Sequence, residues 1–221
     1  MAARIIILVV LFLSACGSNS PDSQPWRGGL IGVWEPVGQP RGVFIVHQGH
    51  APFSAPDYQP ANLIPVVEQL RDAGFLVYGF EMPPGDHGPP IERFYQPVLD
   101  LIDTIPTEIP IYMTGLSGGG WTTTVVTSHS SRIVRGYSVA GDAPLDVWIG
   151  PRDWEQLQVD YRVLYAQAGT RLMHIYNFND SCCFWGISGD IGYAYVTDPT
   201  GIRQHAVTQW AIDFILSDIQ S

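Results

Sequence analysis

The chain has 221 residues, of which 46% are hydrophobic and 12% aromatic. That is enough apolar material for one domain with a sizeable core, and too much for a disordered chain. The formal net charge is −10, which disfavours nucleic acid as a partner. No lysine is present, which excludes Schiff-base and pyridoxal-phosphate chemistry.

The first element is a targeting segment. Arg4 supplies a small positive flank, and Ile5 to Leu13 is an apolar run too short to span a bilayer as a mature helix. The run ends in Leu13-Ser14-Ala15-Cys16, which resembles a bacterial lipobox. The resemblance implies cleavage before Cys16, attachment of a lipid carrying fatty acyl chains such as palmitate to its thiol, and export to the cell envelope on a lipid anchor. Gly17 after the cysteine implies passage to the outer membrane in a double-membrane bacterium. The alternative is an ordinary secretory signal with an incidental cysteine. Residues 1–15 are therefore read as a lipoprotein signal peptide, 16–28 as a polar tether, and 29–221 as one domain.

Within that domain Gly29 to Trp34 reads as a weak strand. Gly42 to His47 reads as a strong strand, with the continuous β-branched and aromatic character of one buried on both faces. Asn62 to Ala73 has the spacing of an amphipathic helix stopped by Gly74, and Phe75 to Phe80 is the next strand. Met82 to Pro90 is a Pro/Gly loop. Ile91 to Thr104 is helical in pattern, with Pro97 expected to kink or split it. A strand over Ile109 to Thr114, a helix over Gly118 to Ser128 and a strand over Ile133 to Ala140 follow. After them come a helix over Trp154 to Ala168, a strand over Arg171 to Phe178, a short strand over Tyr193 to Thr197, and a closing helix over Ala206 to Ile219. The alternation predicts an α/β fold: a doubly wound, mostly parallel sheet with helices on both faces and little or no lid. In such sheets, reactive groups gather beyond the carboxyl ends of the strands.

One strand-to-helix junction carries the chemical signal. Gly115-Leu116-Ser117-Gly118-Gly119 is G-x-S-x-G, a nucleophile elbow when it joins a strand to a helix. A serine exposed on so sharp a turn needs residues without a Cβ on either side of it. The helix that follows aims unpaired N–H groups at the serine, Gly118 first, where they can hold an oxyanion. The competing reading is a glycine-rich turn without chemistry. A serine hydroxyl is a poor nucleophile at neutral pH, so a histidine must take its proton and a carboxylate must orient that histidine. Asp180 follows one strand and His205 follows another, in the chain order Ser117, Asp180, His205.

These residues, that order and the loop His47-Gln48-Gly49-His50 together resemble the α/β-hydrolase superfamily over nearly the whole domain, serine esterases in particular. The resemblance implies a catalytic triad of Ser117, Asp180 and His205. It also implies an oxyanion hole built from the Gly118 N–H and a second N–H, from His50 if the loop is aligned on Gly49 and from Gly49 if it is aligned on His47. Gln48 interrupts the usual His-Gly pair. Pro84 to Gly88 resembles a structural turn of the family. Asp142, Asp190 and Asp198 compete for the acid position, Asp142 because some members carry the acid after the earlier strand. His47, His50, His87, His129 and His174 compete for the base. His174, inside a strand, reads as packing, and His129 should point away from the site.

For the substrate, Trp121, Trp148, Trp154 and Trp185 could form an aromatic rim suited to sugar rings or acyl groups. Trp121, Trp185 and His47 are taken as its contacts, against the alternative that tryptophan covers the core. Neither metal nor cofactor is expected, and the adjacent Cys182 and Cys183 fit zinc poorly. That pair either closes a strained eight-membered ring or stays as free buried thiols. The expected function is hydrolysis of short acyl esters, including acetylated sugars, with a small-molecule or saccharide ester as partner. A peptidase or amidase on the same residues, or a non-catalytic lipoprotein keeping the fold as a binding module, remain as alternatives.

Overall fold

A computed structural model describes residues 29–50, 63–83, 88–150, 152–177, 179–180, 182, 186–187, 189 and 191–220. The expected signal peptide, Cys16, the tether, the turn from Pro84 to His87, Cys183, Trp185 and Asp190 lie outside them. Among the described residues, no helix is long and apolar enough to cross a membrane.

The chain begins with β1 (Leu30–Trp34), β2 (Val43–His47), α1 (Ile64–Asp72) and β3 (Leu76–Phe80). It continues through α2 (Gln96–Thr104), β4 (Ile111–Leu116), α3 (Gly118–His129), β5 (Ile133–Val139) and β6 (Trp148–Ile149). Then follow α4 (Tyr161–Ala168), β7 (Leu172–Tyr176), β8 (Gly186–Ile187), β9 (Tyr195–Thr197) and α5 (Gln209–Asp218). Seven strands form one sheet in the order β1-β3-β2-β4-β5-β7-β9. Only β1, at the edge, runs antiparallel to its neighbour; every other pairing is parallel. β6 and β8 make a separate two-stranded antiparallel ribbon. With two residues each, they leave no periodicity to read in the sequence.

Burial follows the pleat. Every residue of β2 is buried. Phe44 and Val46 pack on one face of the sheet with Val66, Val67 and Leu70 of α1 and Ala211, Ile212 and Ile215 of α5. Val43 and Ile45 pack on the other face with Val98 and Ile102 of α2 and Val126 of α3. Alternate side chains of one strand thus serve opposite helical layers, which is the expected doubly wound arrangement.

One helix splits as its proline predicts, and two others differ from the sequence reading for a local reason. The segment from Ile91 splits into a 3₁₀ turn over Ile91–Phe94 and then α2. Pro97 sits in the first turn of α2, where its missing N–H costs no hydrogen bond. The segment from Trp154 also splits, into a 3₁₀ turn over Glu155–Leu157 and α4. Asp160 accepts from the N–H groups of Arg162 and Val163, so a new helix starts where a continuous one was expected. In the same way the closing helix starts after Thr208, whose side chain accepts from the Ala211 N–H, and not at Ala206.

Candidate active site

Ser117 lies between β4 and α3 with φ 58° and ψ −125°. A non-glycine residue there carries roughly 1–3 kcal/mol of strain, which the surroundings must hold in place. The glycines show how. A Cβ on Gly115 would stand 2.2 Å from the Gly119 carbonyl oxygen, and one on Gly119 would stand 2.0 Å from the His47 carbonyl oxygen. Elbow and β2 backbone meet so closely that only glycine fits at either position. The Ser117 N–H donates to the Val139 carbonyl at 2.9 Å, tying the elbow to β5. Gly118 opens α3, so its N–H is one of the first-turn donors without an intrahelical acceptor.

The 47–50 loop is pressed onto this elbow. A Cβ on Gly49 would lie 2.9 Å from Ser117 Cβ and 3.0 Å from Gly118 N, so Gly49 borders both the serine and the helix start. The His50 ring stands over Gly118, where an added Cβ would meet its Cε1 at 2.9 Å. His50 Nδ1 lies 3.3 Å from Asp153 Oδ2 and Nε2 lies 3.1 Å from Glu155 Oε1. Burial pushes the His50 pKa down, but contact with Glu155 and the charges of Asp153 and Glu155 outweigh it and leave the pKa above the usual histidine value. The donor atoms of these three side chains lie within 4.8 Å of one another. Both ring nitrogens already face carboxylates, so the trio is an ion-pair cluster.

His47 and Trp121 do not line a substrate site. His47 is 2% exposed, and its Nδ1 pairs with the Gln48 carbonyl oxygen at 2.7 Å. Its ring stacks on Phe80. Burial, together with the nearby His50, lowers its pKa to about 4, against the opposing effect of the Gln48 carbonyl, so it is neutral at neutral pH. Trp121 is fully buried with its ring edge-on to Phe94. The position after the elbow faces the α3–α4 core, which corrects the expected rim role. Trp148 is likewise buried, Trp154 is partly exposed, and Trp185 lies outside the described residues.

Asp180 and His205 are brought together. His205 Nδ1 lies 2.6 Å from Asp180 Oδ2, with the carboxylate side chain 1% exposed and the imidazole 13%. The other oxygen, Oδ1, accepts from the Cys182 N–H at 2.7 Å. Cys182 is exposed and disulfide-bonded, its partner lying outside the described residues, so it is not a free buried thiol. Asn177, just past β7, holds the two loops in register. Its Nδ2 donates to the carbonyls of Ile202 at 2.7 Å and Gln204 at 3.1 Å, fixing the backbone beside His205. Asn179 donates to the Gly201 carbonyl at 2.7 Å. The sequence reading passed over both asparagines, although an Asn next to a strand end is a recurrent backbone-bonding signal. β4, β5, β7 and β9 are parallel neighbours, so Ser117, Asp180 and His205 all follow carboxyl ends at the same edge of the sheet. Among the described residues no hydrogen bond joins Ser117 Oγ to His205 Nε2.

The competing groups are occupied elsewhere. Asp142 is fully buried, accepts from Ser138 Oγ at 2.7 Å, and lies 3.3 Å from Nδ1 of the equally buried His174. Asp198 accepts from Thr208 Oγ1 and from the Thr200 N–H, fixing the entry to α5. His129, at the far end of α3, bonds the Val125 carbonyl oxygen at 2.8 Å.

The architecture is shared with solved esterases. Est1E from Butyrivibrio proteoclasticus is 16% identical with a TM-score of 0.56, the match covering 86% of this chain and 93% of that one. A cold-adapted esterase from an Arctic intertidal metagenomic library is 14% identical with a TM-score of 0.59, covering 85% of each chain. A serine hydrolase of the α/β type without a lid, from Xanthomonas campestris, is 14% identical with a TM-score of 0.53, covering 85% of this chain and 84% of that one. No protein-family model and no curated protein matches the chain.

Proposed function

We propose that this chain, which has the α/β-hydrolase fold, is a serine hydrolase of carboxylic esters acting through Ser117, His205 and Asp180. The observation that carries the reading is the strained serine on its glycine-locked elbow, at the same sheet edge as the short Asp180–His205 contact. His205 Nδ1 faces Asp180, which leaves Nε2 as the nitrogen that takes the Ser117 proton. Ser117 Oγ attacks the ester carbonyl, and the tetrahedral oxyanion is held by the Gly118 N–H and one from Gly49 or His50. His205 returns the proton to the departing alcohol, and water repeats the sequence on the acyl-enzyme. Asp180 holds the imidazole in the required tautomer and stabilises its charged form.

The substrates proposed are short acyl esters, acetylated sugars among them. Several of the structural neighbours are named esterases, which favours the ester reading, and one of them, Est1E, has been solved with ferulic acid bound. The lipobox-like Leu13 to Cys16 supports export on a lipid anchor. The reading is tested by treating the domain with a fluorophosphonate and mapping the adduct, alongside turnover of p-nitrophenyl acetate. A Ser117 adduct with ester turnover is expected. Lack of labelling in the folded protein would favour a non-catalytic binding module.

A further inference from the structure

The ion pairs of His50 belong to none of the steps above, yet they stand on the elbow itself. The ring lies over Gly118, the first oxyanion donor, and the backbone of its own loop carries the second. Its carboxylate partners sit on the 3₁₀ segment around Glu155, which is anchored from the opposite side. The Asp153 N–H donates to Gln156 Oε1 at 2.9 Å, and Gln156 Nε2 donates to the Gly141 carbonyl at 3.1 Å. Tyr161 donates to the Gln156 carbonyl at 2.8 Å. Gly141 packs against α3 so closely that a Cβ would lie 2.4 Å from Gly120 C. A closed circuit therefore runs from the 47–50 loop through His50 to Asp153 and Glu155, through Gln156 to Gly141, and through Gly120 back to Gly118 and Ser117.

The chemistry of the ring decides its charge state. A neutral imidazole has one N–H and one lone pair. With a carboxylate facing each nitrogen, either neutral tautomer turns a lone pair toward a negative oxygen, and only the imidazolium donates to both. Loss of the proton would also remove a positive charge from beside the fully buried Glu155 carboxylate.

We propose that His50, Asp153 and Glu155 form a positioning clamp that holds the oxyanion loop against the elbow, and that the clamp engages only while His50 carries its proton. The proposal rests on the serine-hydrolase reading. The raised pKa of His50 is in keeping with it. Among the described residues, the other titratable groups nearby include His47, whose ring is neutral above about pH 4, and Tyr161, which lies within electrostatic reach of Glu155, Asp142 and Arg152. The expected pH profile of kcat/KM carries an alkaline limb. The rate falls on the alkaline side as His50 loses its proton.

The test compares His50→Leu, Glu155→Gln and Asp153→Asn by pH–rate profile and by Ser117 labelling with a fluorophosphonate. His50→Leu should lower kcat about a hundredfold, the scale of one lost oxyanion donor, with KM changed less than about threefold. Its alkaline limb should vanish. Glu155→Gln should lose less than His50→Leu and extend activity to higher pH, because a glutamine amide can donate to the lone pair of a neutral imidazole. Asp153→Asn, on the more exposed side, should shift the limb the same way by less, and it serves if Glu155→Gln does not fold. An alkaline limb unmoved in Glu155→Gln and Asp153→Asn, or a wild-type kcat in His50→Leu, overturns the clamp while Ser117 still labels. Absence of labelling in the wild type overturns the hydrolase reading, and the clamp falls with it.

Discussion

Two of the aspartate–histidine pairs among the described residues lie one strand position apart, and their surroundings differ. Asp142 follows β5 and meets His174 from within β7; Asp180 follows β7 and meets His205 beyond β9. The first pair is sealed, with both side chains fully buried and the imidazole between the rings of Tyr165 and Tyr176. Burial and the Asp142 charge push those tyrosines well above the usual phenol range, so the surrounding hydroxyls stay protonated. The second pair is closer, at 2.6 Å against 3.3 Å, and keeps a partly exposed imidazole. Residue type and order alone do not separate a structural pair from a catalytic one. The partly exposed imidazole at the carboxyl edge of the sheet is the ground on which the second pair is proposed as the catalytic one.

The comparison can be broken most forcefully at the nucleophile and its base. Ser117→Ala and His205→Ala should each lower kcat/KM by at least about 10⁴-fold, and the double variant should lose little more, because the two act as a unit. His174→Phe should leave kcat/KM within about fivefold, its cost appearing as a lower Tm. Gly49→Ala probes the wall between loop and elbow. A Cβ 2.8 Å from the Leu116 carbonyl oxygen forces the loop outward, so kcat should fall about 10²- to 10³-fold while the domain stays folded. Asn177→Ala sharpens the comparison on the open side only. Freeing the backbone beside His205 should cost about tenfold in kcat, roughly the 1–1.5 kcal/mol of a hydrogen bond, measurable by steady-state kinetics.

The smallest effect belongs to a third aspartate that meets arginine instead of histidine. Asp218 bonds Arg135 at 2.7 Å and Tyr137 at 2.8 Å, anchoring α5 to β5. Its pKa is held below the usual carboxylate range: burial raises it, and the bonds and charge of Arg135 with the Tyr137 hydrogen bond outweigh that. A carboxylate with a depressed folded pKa stabilises above its unfolded pKa and loses that contribution as pH falls through the folded value. Asp218→Ala should therefore cost about 1 kcal/mol by urea unfolding at neutral pH, and the cost should shrink in acid.

Much of this fold was legible because its strongest signals are local. The Gly42–His47 run reads as a doubly buried strand and is one, and the glycines of Gly115–Gly119 mark a turn that admits no side chain. The α4 boundary was not legible, because Asp160 acts through a side-chain cap that competes with an otherwise helical pattern. His47 and Trp121 were misjudged as substrate contacts since sequence shows proximity along the chain and not the direction of a side chain. Both lie near the elbow, and both point into packed layers. Asn177 and the partners of His50 join residues 25 to about 100 positions apart, and no periodicity reports such contacts.

The most direct measurement is the kcat/KM of Asp180→Asn beside that of Asp142→Asn, on a short acyl ester, with Ser117 titrated by fluorophosphonate in each. Asp180→Asn should fall about 10⁴-fold, because an amide presents the imidazole with the wrong partner. Asp142→Asn should stay within about fivefold of wild type while its Tm drops by about 2–12 °C, the scale of a compromised buried hydrogen bond. A collapse of activity in Asp142→Asn with Asp180→Asn unaffected would contradict the account and move the acid to the strand before.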